Sequence, residues 1–502
     1  MKLDVKKNTI MGALAGIGNK LIVTLLPFIM RTIMIHYMGT QYLGLSSLFS
    51  SILNMLSLAE LGFGGALVYS MYKPIAENDT NKICALMGLY RNVYRIIGIC
   101  ILVLGIAIMP FLENFISGDV PSDINIYSLY LIYLANTVAS YFLFAYKNSL
   151  LVAFQRNDIS SNVGSILTVL EYSIQIALVM IFRNYYCYAI VFPIFTVLGN
   201  IIRAVIVQKK YPEYVCRGKV NKTEQREIYS KTLALASHKI GNTVSSSLDS
   251  IVVSSFLGLS SVAIFGNYNY IVSTLTSMIW IVYYSMTAGI GNRMNLKSKQ
   301  ENYSDFLALS SFNNMILMWS TGCLIVLYQP FMKLWAGVEN MLHDNMAFVF
   351  ALYYYVYQSR KIVLLFKDAA GLWKEDQWKP IVGAVVNLIL NIVMIKLLGM
   401  NGVILSSIIS FVLIEIPWES SVLNNVYFNT STKEYLFSQI KAFFIAIPIW
   451  GILVFVCKLV PFSGVAELIC KGIIAAVLPI PYMLIIYRND KELLRIVKKI
   501  IP

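Results

Sequence analysis

Charged and polar side chains recur at helical spacing inside long apolar stretches of this chain. Lys20, Thr24, Pro27 and Arg31 fall on one stripe, because helical residues three and four apart share a face. Lys20 and Arg31 are eleven residues apart, about 16 Å along a helix axis, so snorkelling to a single interface cannot serve both. Ser47, Ser51, Asn54 and Ser57 form a second stripe with Glu60 at its edge, and Ser161, Ser165, Thr168, Tyr172 and Gln175 form a third with Glu171 beside it. His238, Asn242, Ser245 and Asp249 follow at spacings of four, three and four. Arg203, Lys239 and Lys471 are further cations within apolar runs. A cation there can compensate an anion that hydrocarbon would reject, and a carboxylate can exchange a proton or cation, or pair with a base.

Plainer readings stand beside these. Hydroxyl and amide stripes also join helices, at about 0.6 kcal/mol per contact. Lys20 and Glu60 lie near cytoplasmic ends, where Lys20 can snorkel and Glu60 can serve an interface. His238 reads equally as a hydrogen-bonded interfacial histidine, and Glu415 and Glu419 as interfacial charges. Asp249 lies at least eight residues from either end of its run, which favours a paired or functional carboxylate.

The elements carrying these stripes must be membrane helices. The chain is 58% hydrophobic and 13% charged, against roughly 45–50% and about 25% in soluble domains, and its mean hydropathy is +0.67. Fourteen apolar stretches recur from residue 9 to residue 487, each long enough for ~30 Å of hydrocarbon. The expected fold is an all-α integral membrane protein with about fourteen transmembrane helices and no separate soluble domain.

The net charge of +14 does not indicate a nucleic-acid partner. Most Lys and Arg fall in alternate connections and in the tail 488–499, the pattern of cytoplasmic loops, which places both termini in the cytoplasm. The basic segment 209–231 reads as a cytoplasmic linker, or as a contact for anionic lipids. The first span is too long for a cleavable signal and reads as an uncleaved anchor. Seven cysteines show no CxxC or metal-ligand spacing, so no disulfide framework, metal or other cofactor is expected. There is no GxxxxGK[ST] motif for ATP, no DxD motif and no large outer loop for sugar-transfer chemistry. An enzyme is not expected.

A shift of 219 residues aligns Lys20 with Lys239 and Gly39 with Gly258. This thin match suggests two six-helix lobes, 1–208 and 232–423, joined by the linker 209–231 and followed by two appended helices and a basic tail, 424–502. Met38-Gly39 with Tyr42-Leu-Gly-Leu45, then Leu58-Ala-Glu-Leu-Gly-Phe-Gly64, Tyr72-Lys-Pro-Ile-Ala76, Asp79 with Lys82-Ile83, and Tyr90-Arg91 with Tyr94 extend the pattern. Together with Leu248-Asp249-Ser250 leading to Gly258, they resemble the Wzx-type polysaccharide flippases. That group exports O-antigen or capsule repeat units and belongs to the multidrug, oligosaccharidyl-lipid and polysaccharide exporter superfamily.

The resemblance implies a MATE-like fold in a bacterial cytoplasmic membrane. It also implies movement of an undecaprenyl-diphosphate-linked oligosaccharide from the cytoplasmic to the outer leaflet by alternating access. Lys20 and Arg31 match the cations of that group's cavity, with Arg203 and Lys239 behind them and Lys147 a weaker match. Glu60, Glu171, His238, Asp249, Asn54 and Asn242 are then the coupling or polar cavity residues. Coupling would be to a proton or sodium gradient or to the membrane potential. The implied partners are the lipid-linked oligosaccharide, membrane lipids, and a polysaccharide polymerase and glycosyltransferases. Three rivals remain: a multidrug cation antiporter, a lipid II flippase and, from another class, a membrane glycan polymerase.

Overall fold

The computed structural model describes residues 5–60, 63–490 and 492–494. Local caps set several helix starts. The chain separates into two compact units, Met1–Ala263 and Ile264–Pro502.

The first unit holds α1 (Val5–Tyr37), α2 (Thr40–Leu56), α3 (Phe63–Ala76), α4 (Thr80–Ile108), α5 (Ile126–Phe142), α6 (Asn148–Ala153), α7 (Asn157–Phe182), α8 (Tyr185–Ala189), α9 (Val191–Lys210) and α10 (Lys222–Leu257). Asp79 caps α4 by accepting from the Lys82 amide at 2.9 Å, and Asn125 caps α5 through the Ser128 amide at 3.0 Å. Leu45, Leu48, Phe49, Leu67 and Ile83 are buried at the centre of this unit. Ile99, Val103 and Ile106 on α4 stay exposed, as a lipid-facing surface requires.

The second unit holds most of α11 (Leu259–Leu296), then α12 (Lys299–Trp335), α13 (Asp344–Ser359), α14 (Lys361–Ala370), α15 (Lys379–Leu398), α16 (Met400–Ser410), α17 (Ile416–Ser421), α18 (Thr432–Lys458), α19 (Gly464–Val477) and α20 (Pro479–Tyr487). Ser298 and Glu301 form a reciprocal capping box at the start of α12. Phe306, Leu365, Phe366 and Leu423 form its main core. Wide π-helical turns, Phe411–Glu415 and Val422–Phe428, flank α17; such turns re-aim side chains and often mark functional positions.

The chain is a multi-pass membrane protein, and the described residues are helices and connections without strands. Among the described residues ten helices are long and apolar enough to cross a membrane, or eleven when the pair Ile126–Phe142 and Ala145–Ala153, bent by 47°, counts as one. Fourteen crossings are therefore not established, for physical reasons. The second apolar stretch is interrupted at Ser57–Glu60, the tenth is broken at Arg360, and α10 offers only Thr243–Leu257 as a short apolar helix.

The paired glycines of the sequence repeat share one backbone geometry. Gly39 has φ 107° and ψ 170° before α2, and Gly258 has φ 83° and ψ 175° before α11. Only glycine adopts this region readily. Within the first unit α10 packs on α2 and α3.

Candidate functional site

Where α2 stops, Ser57 turns its hydroxyl back to the Leu53 carbonyl at 2.9 Å, and a single 3₁₀ turn ends at Glu60. The turn points the carboxylate at phenols from two other helices. Tyr94 donates to Glu60 Oε1 at 2.5 Å and Tyr141 donates to Oε2 at 2.7 Å. Tyr90 in turn donates to the Tyr94 hydroxyl at 2.9 Å. Tyr90 and Tyr94 are four apart on α4, so their rings lie together at 4.5 Å, and Tyr141 comes from α5 with its ring 5.5 Å from Tyr94. Hydrogen bonds to a charged acceptor are the stronger kind, so this turn is fixed from both sides.

These groups line a cavity of about 600 Å³ together with Asn148, Ser149, Asn200 and Arg203. The volume lies in the usual range for small-molecule sites, about 300–1,000 Å³. Arg203, on α9, rests against two glycines. Its guanidinium nitrogens lie 3.5 Å and 3.1 Å from where side chains on Gly164 and Gly199 would begin. Asn19 approaches the same Gly164 and bonds α1 to α7 through Ser161 O at 3.3 Å and Ser165 Oγ at 3.0 Å. Among the described residues Arg203 has no carboxylate partner, and its Nε is buried without a hydrogen bond. The cavity thus combines a tyrosine-bound carboxylate, amides and hydroxyls, and one cation without a direct carboxylate partner among the described residues.

The other expected residues fall elsewhere. Glu60 and Arg203 share the cavity; Lys20, Arg31, Glu171 and Asn54 are not in its lining. Lys20 and Asn54 are exposed. Arg31 and Glu171 both lie within electrostatic reach of the Tyr188 hydroxyl. Asp249 is buried on α10. His238, Lys239 and Asn242 lie on the α10 backbone, but their side chains are outside the described residues, as are Leu61 and Gly62 of the motif around Glu60. Lys471 pairs with Glu467 on its own helix at 2.6 Å.

In the second unit the sequence reading missed a buried charge lattice. Arg360 Nη2 donates to Glu419 Oε1 at 2.7 Å and Nε donates to Glu419 Oε2 at 3.1 Å, and Arg360 also reaches Glu415. Lys379 donates to Glu419, and Lys367 to Asp376. All six side chains are under one-tenth exposed, and three cations balance three carboxylates. Basic residues near span ends look like topogenic charges, and that signal hid these. The available clue was Glu415 and Glu419, one turn apart in apolar sequence and in need of bases. A separate cavity of about 410 Å³ in this unit is lined by Ile271, Leu275, Leu324, Leu327, Phe331 and similar groups, which suit hydrocarbon and not a charged head group.

A family model described as polysaccharide biosynthesis protein matches residues 5–288. Among solved structures, the chain is similar to the lipid II flippase MurJ in an inward closed conformation, at 17% identity over 96% of this chain and 99% of that one, with a TM-score of 0.67. It is also similar to an inward-facing multidrug resistance MATE family transporter of the MOP superfamily, at 13% identity over 80% of this chain and 94% of that one, TM-score 0.59. A MOP superfamily transporter from Pyrococcus furiosus matches at 14% identity over 83% and 96%, TM-score 0.53. At these identities the likeness establishes the fold. No curated protein matches the chain by sequence.

Proposed function

Because the chain belongs to the polysaccharide biosynthesis protein family, we propose that it is a flippase for an undecaprenyl-diphosphate-linked oligosaccharide repeat unit, carrying the head group from the cytoplasmic to the outer leaflet. The observation that carries this reading is the first-unit cavity, in which Arg203 faces phenols, amides and hydroxyls. A diphosphate cannot leave water without compensation. A guanidinium matches phosphate geometry with paired N–H donors. Tyrosine faces and amide groups suit sugar rings and their hydroxyls. No covalent step is needed: binding, exclusion of lipid and alternating access suffice.

Two negative charges leaving a negative cytoplasm gain roughly 2.3 kcal/mol per charge per 100 mV, so the membrane potential supplies driving force. Glu60 is the coupling group in this reading, exchanging a proton or sodium ion while the tyrosines hold its position. The site is set in the cytoplasmic membrane with both termini inside, where glycosyltransferases load the lipid and a polymerase receives it.

One observation favours a second reading. Glu60 is a carboxylate in the same cavity, and similar folds include multidrug transporters; a cation antiporter would use it to bind substrate. Reconstituted protein separates the two. Under the flippase reading, Arg203→Gln lowers movement of lipid-linked oligosaccharide at least tenfold, about 1.4 kcal/mol, and Arg203→Lys recovers part of it. Cation efflux lost with Glu60→Gln and untouched by Arg203→Gln would establish the antiporter instead.

A further inference from the structure

Beside the buried lattice of the second unit stands a cation that the lattice does not neutralise. Arg360 caps the end of α13 and is engaged by Glu415 and Glu419, with its guanidinium 6.0 Å from the Tyr357 ring centroid; Lys361 follows it and opens α14. The Lys361 ammonium lies 4.2 Å from the centroid of the Tyr357 ring and 5.1 Å from that of Trp280. Among the described residues it has no carboxylate partner. It is half-buried, as are both rings.

The contrast with its neighbours gives this its meaning. Where this unit buries a cation completely, at Arg360, Lys367 and Lys379, it provides carboxylates. Aromatic faces offset only part of the hydration an ammonium loses. A lysine held on two rings beside a closed, balanced lattice is therefore pre-positioned for an anion from outside the chain. The lattice ties α14, α15 and α17 together and fixes the backbone at Arg360, which sets the direction of Lys361. Stacking of Tyr353 on Tyr357 at 6.0 Å and of Tyr357 against Phe411 at 5.6 Å holds the ring in place.

We propose that Lys361, framed by Trp280 and Tyr357, is an anion-binding site of the second unit that takes one phosphate or carboxylate group of the transported lipid-linked saccharide. The assignment rests on the flippase reading for the identity of the substrate. The two sources share one chemistry, an oxyanion beside a planar aromatic platform. The phosphate lies next to the lipid, whereas the carboxylate belongs to an acidic sugar.

The test uses the full chain in nanodiscs and the fluorescence of Trp280, isolated as the difference between wild type and Trp280→Phe. Farnesyl diphosphate, farnesol and glucuronate are titrated. Saturable quenching by farnesyl diphosphate that weakens at least tenfold in Lys361→Gln and less than threefold in Lys361→Arg assigns the site to phosphate. The same dependence with glucuronate alone assigns it to an acidic sugar. The proposal is overturned if neither anion binds, if Lys361→Gln binds as wild type does, or if neutral farnesol shows the same dependence. Lys361→Arg and Tyr357→Phe, checked for an unchanged elution volume, separate loss of the site from loss of the fold. Transport is read separately. Oligosaccharide movement that ignores Lys361→Gln sinks this site and leaves the flippase reading standing. Lys361-dependent anion binding without any such movement does the reverse.

Discussion

Asn19 and Arg203 meet over Gly164. The amide nitrogen of one and a guanidinium nitrogen of the other lie 3.3 and 3.5 Å from the point where a side chain on Gly164 would start. The absence of that side chain lets α1, α7 and α9 come together with a cation at their junction. Gly164→Ala asks the neighbours to yield by only a few tenths of an ångström, so transport should stay within about twofold of wild type, under 0.5 kcal/mol. Gly164→Leu must displace the guanidinium and should match Arg203→Gln in the flux assay. Full activity in Gly164→Leu would mean that the position of Arg203 does not matter.

Glu60 and its tyrosines should behave as one unit. Removing one partner of a buried hydrogen bond leaves the other unsatisfied, at about 1–3 kcal/mol, and these bonds, being partly buried, belong at the lower end. Tyr141→Phe leaves Glu60 Oε2 without its donor, while Glu60→Gln gives the two phenols one acceptor in place of two. A double-mutant cycle on thermal unfolding in detergent should show coupling of about 0.5–3 kcal/mol. Strictly additive effects would show that the 2.7 Å bond contributes nothing.

How far the sequence could be read follows from which contacts are local. Most of the long helices coincide with apolar runs because hydrophobic length is a property of consecutive residues, and Glu60 and Arg203 stood out as charges in such runs. Tyr90 and Tyr94 could be read only as part of a family pattern, and Tyr141 not at all, since a tyrosine in an apolar helix looks like core until another helix presents a carboxylate to it. Arg360 and Lys379 were hidden for the opposite reason: cations near span ends are expected in loops. Their burial depends on Glu415 and Glu419, about forty to sixty residues away in sequence. The break at Phe144, which has φ 61°, carries neither glycine nor proline to announce it.

The shared geometry of Gly39 and Gly258 predicts two unequal substitutions. Both residues occupy backbone that costs an L-residue about 1–3 kcal/mol. Around Gly39 there is open space within 4 Å, whereas a side chain on Gly258 would begin 2.7 Å from the Ser117 carbonyl oxygen. Gly39→Ala should therefore lower stability by the conformational term alone, and Gly258→Ala by clearly more, because backbone must move. Melting temperatures measured side by side decide it. Equal losses would show that the connection around Ser117 yields freely.

The charge lattice gives the sharpest stability prediction. Arg360→Met leaves Glu415 and Glu419 facing Lys379 alone, and breaking a buried pair from one side costs about 3–5 kcal/mol. Removing charge from both sides is different, since well-packed apolar replacements of buried pairs are often neutral. Arg360→Met combined with Glu415→Leu keeps Lys379 opposite Glu419 and Lys367 opposite Asp376, so the formal charge stays balanced. The double variant should unfold at a higher temperature than Arg360→Met, with much of the single loss recovered. If it is less stable than the single variant, the Glu415 carboxylate supports the fold through something other than Arg360, and the π-helical turn at Phe411–Glu415 is the place to look for it.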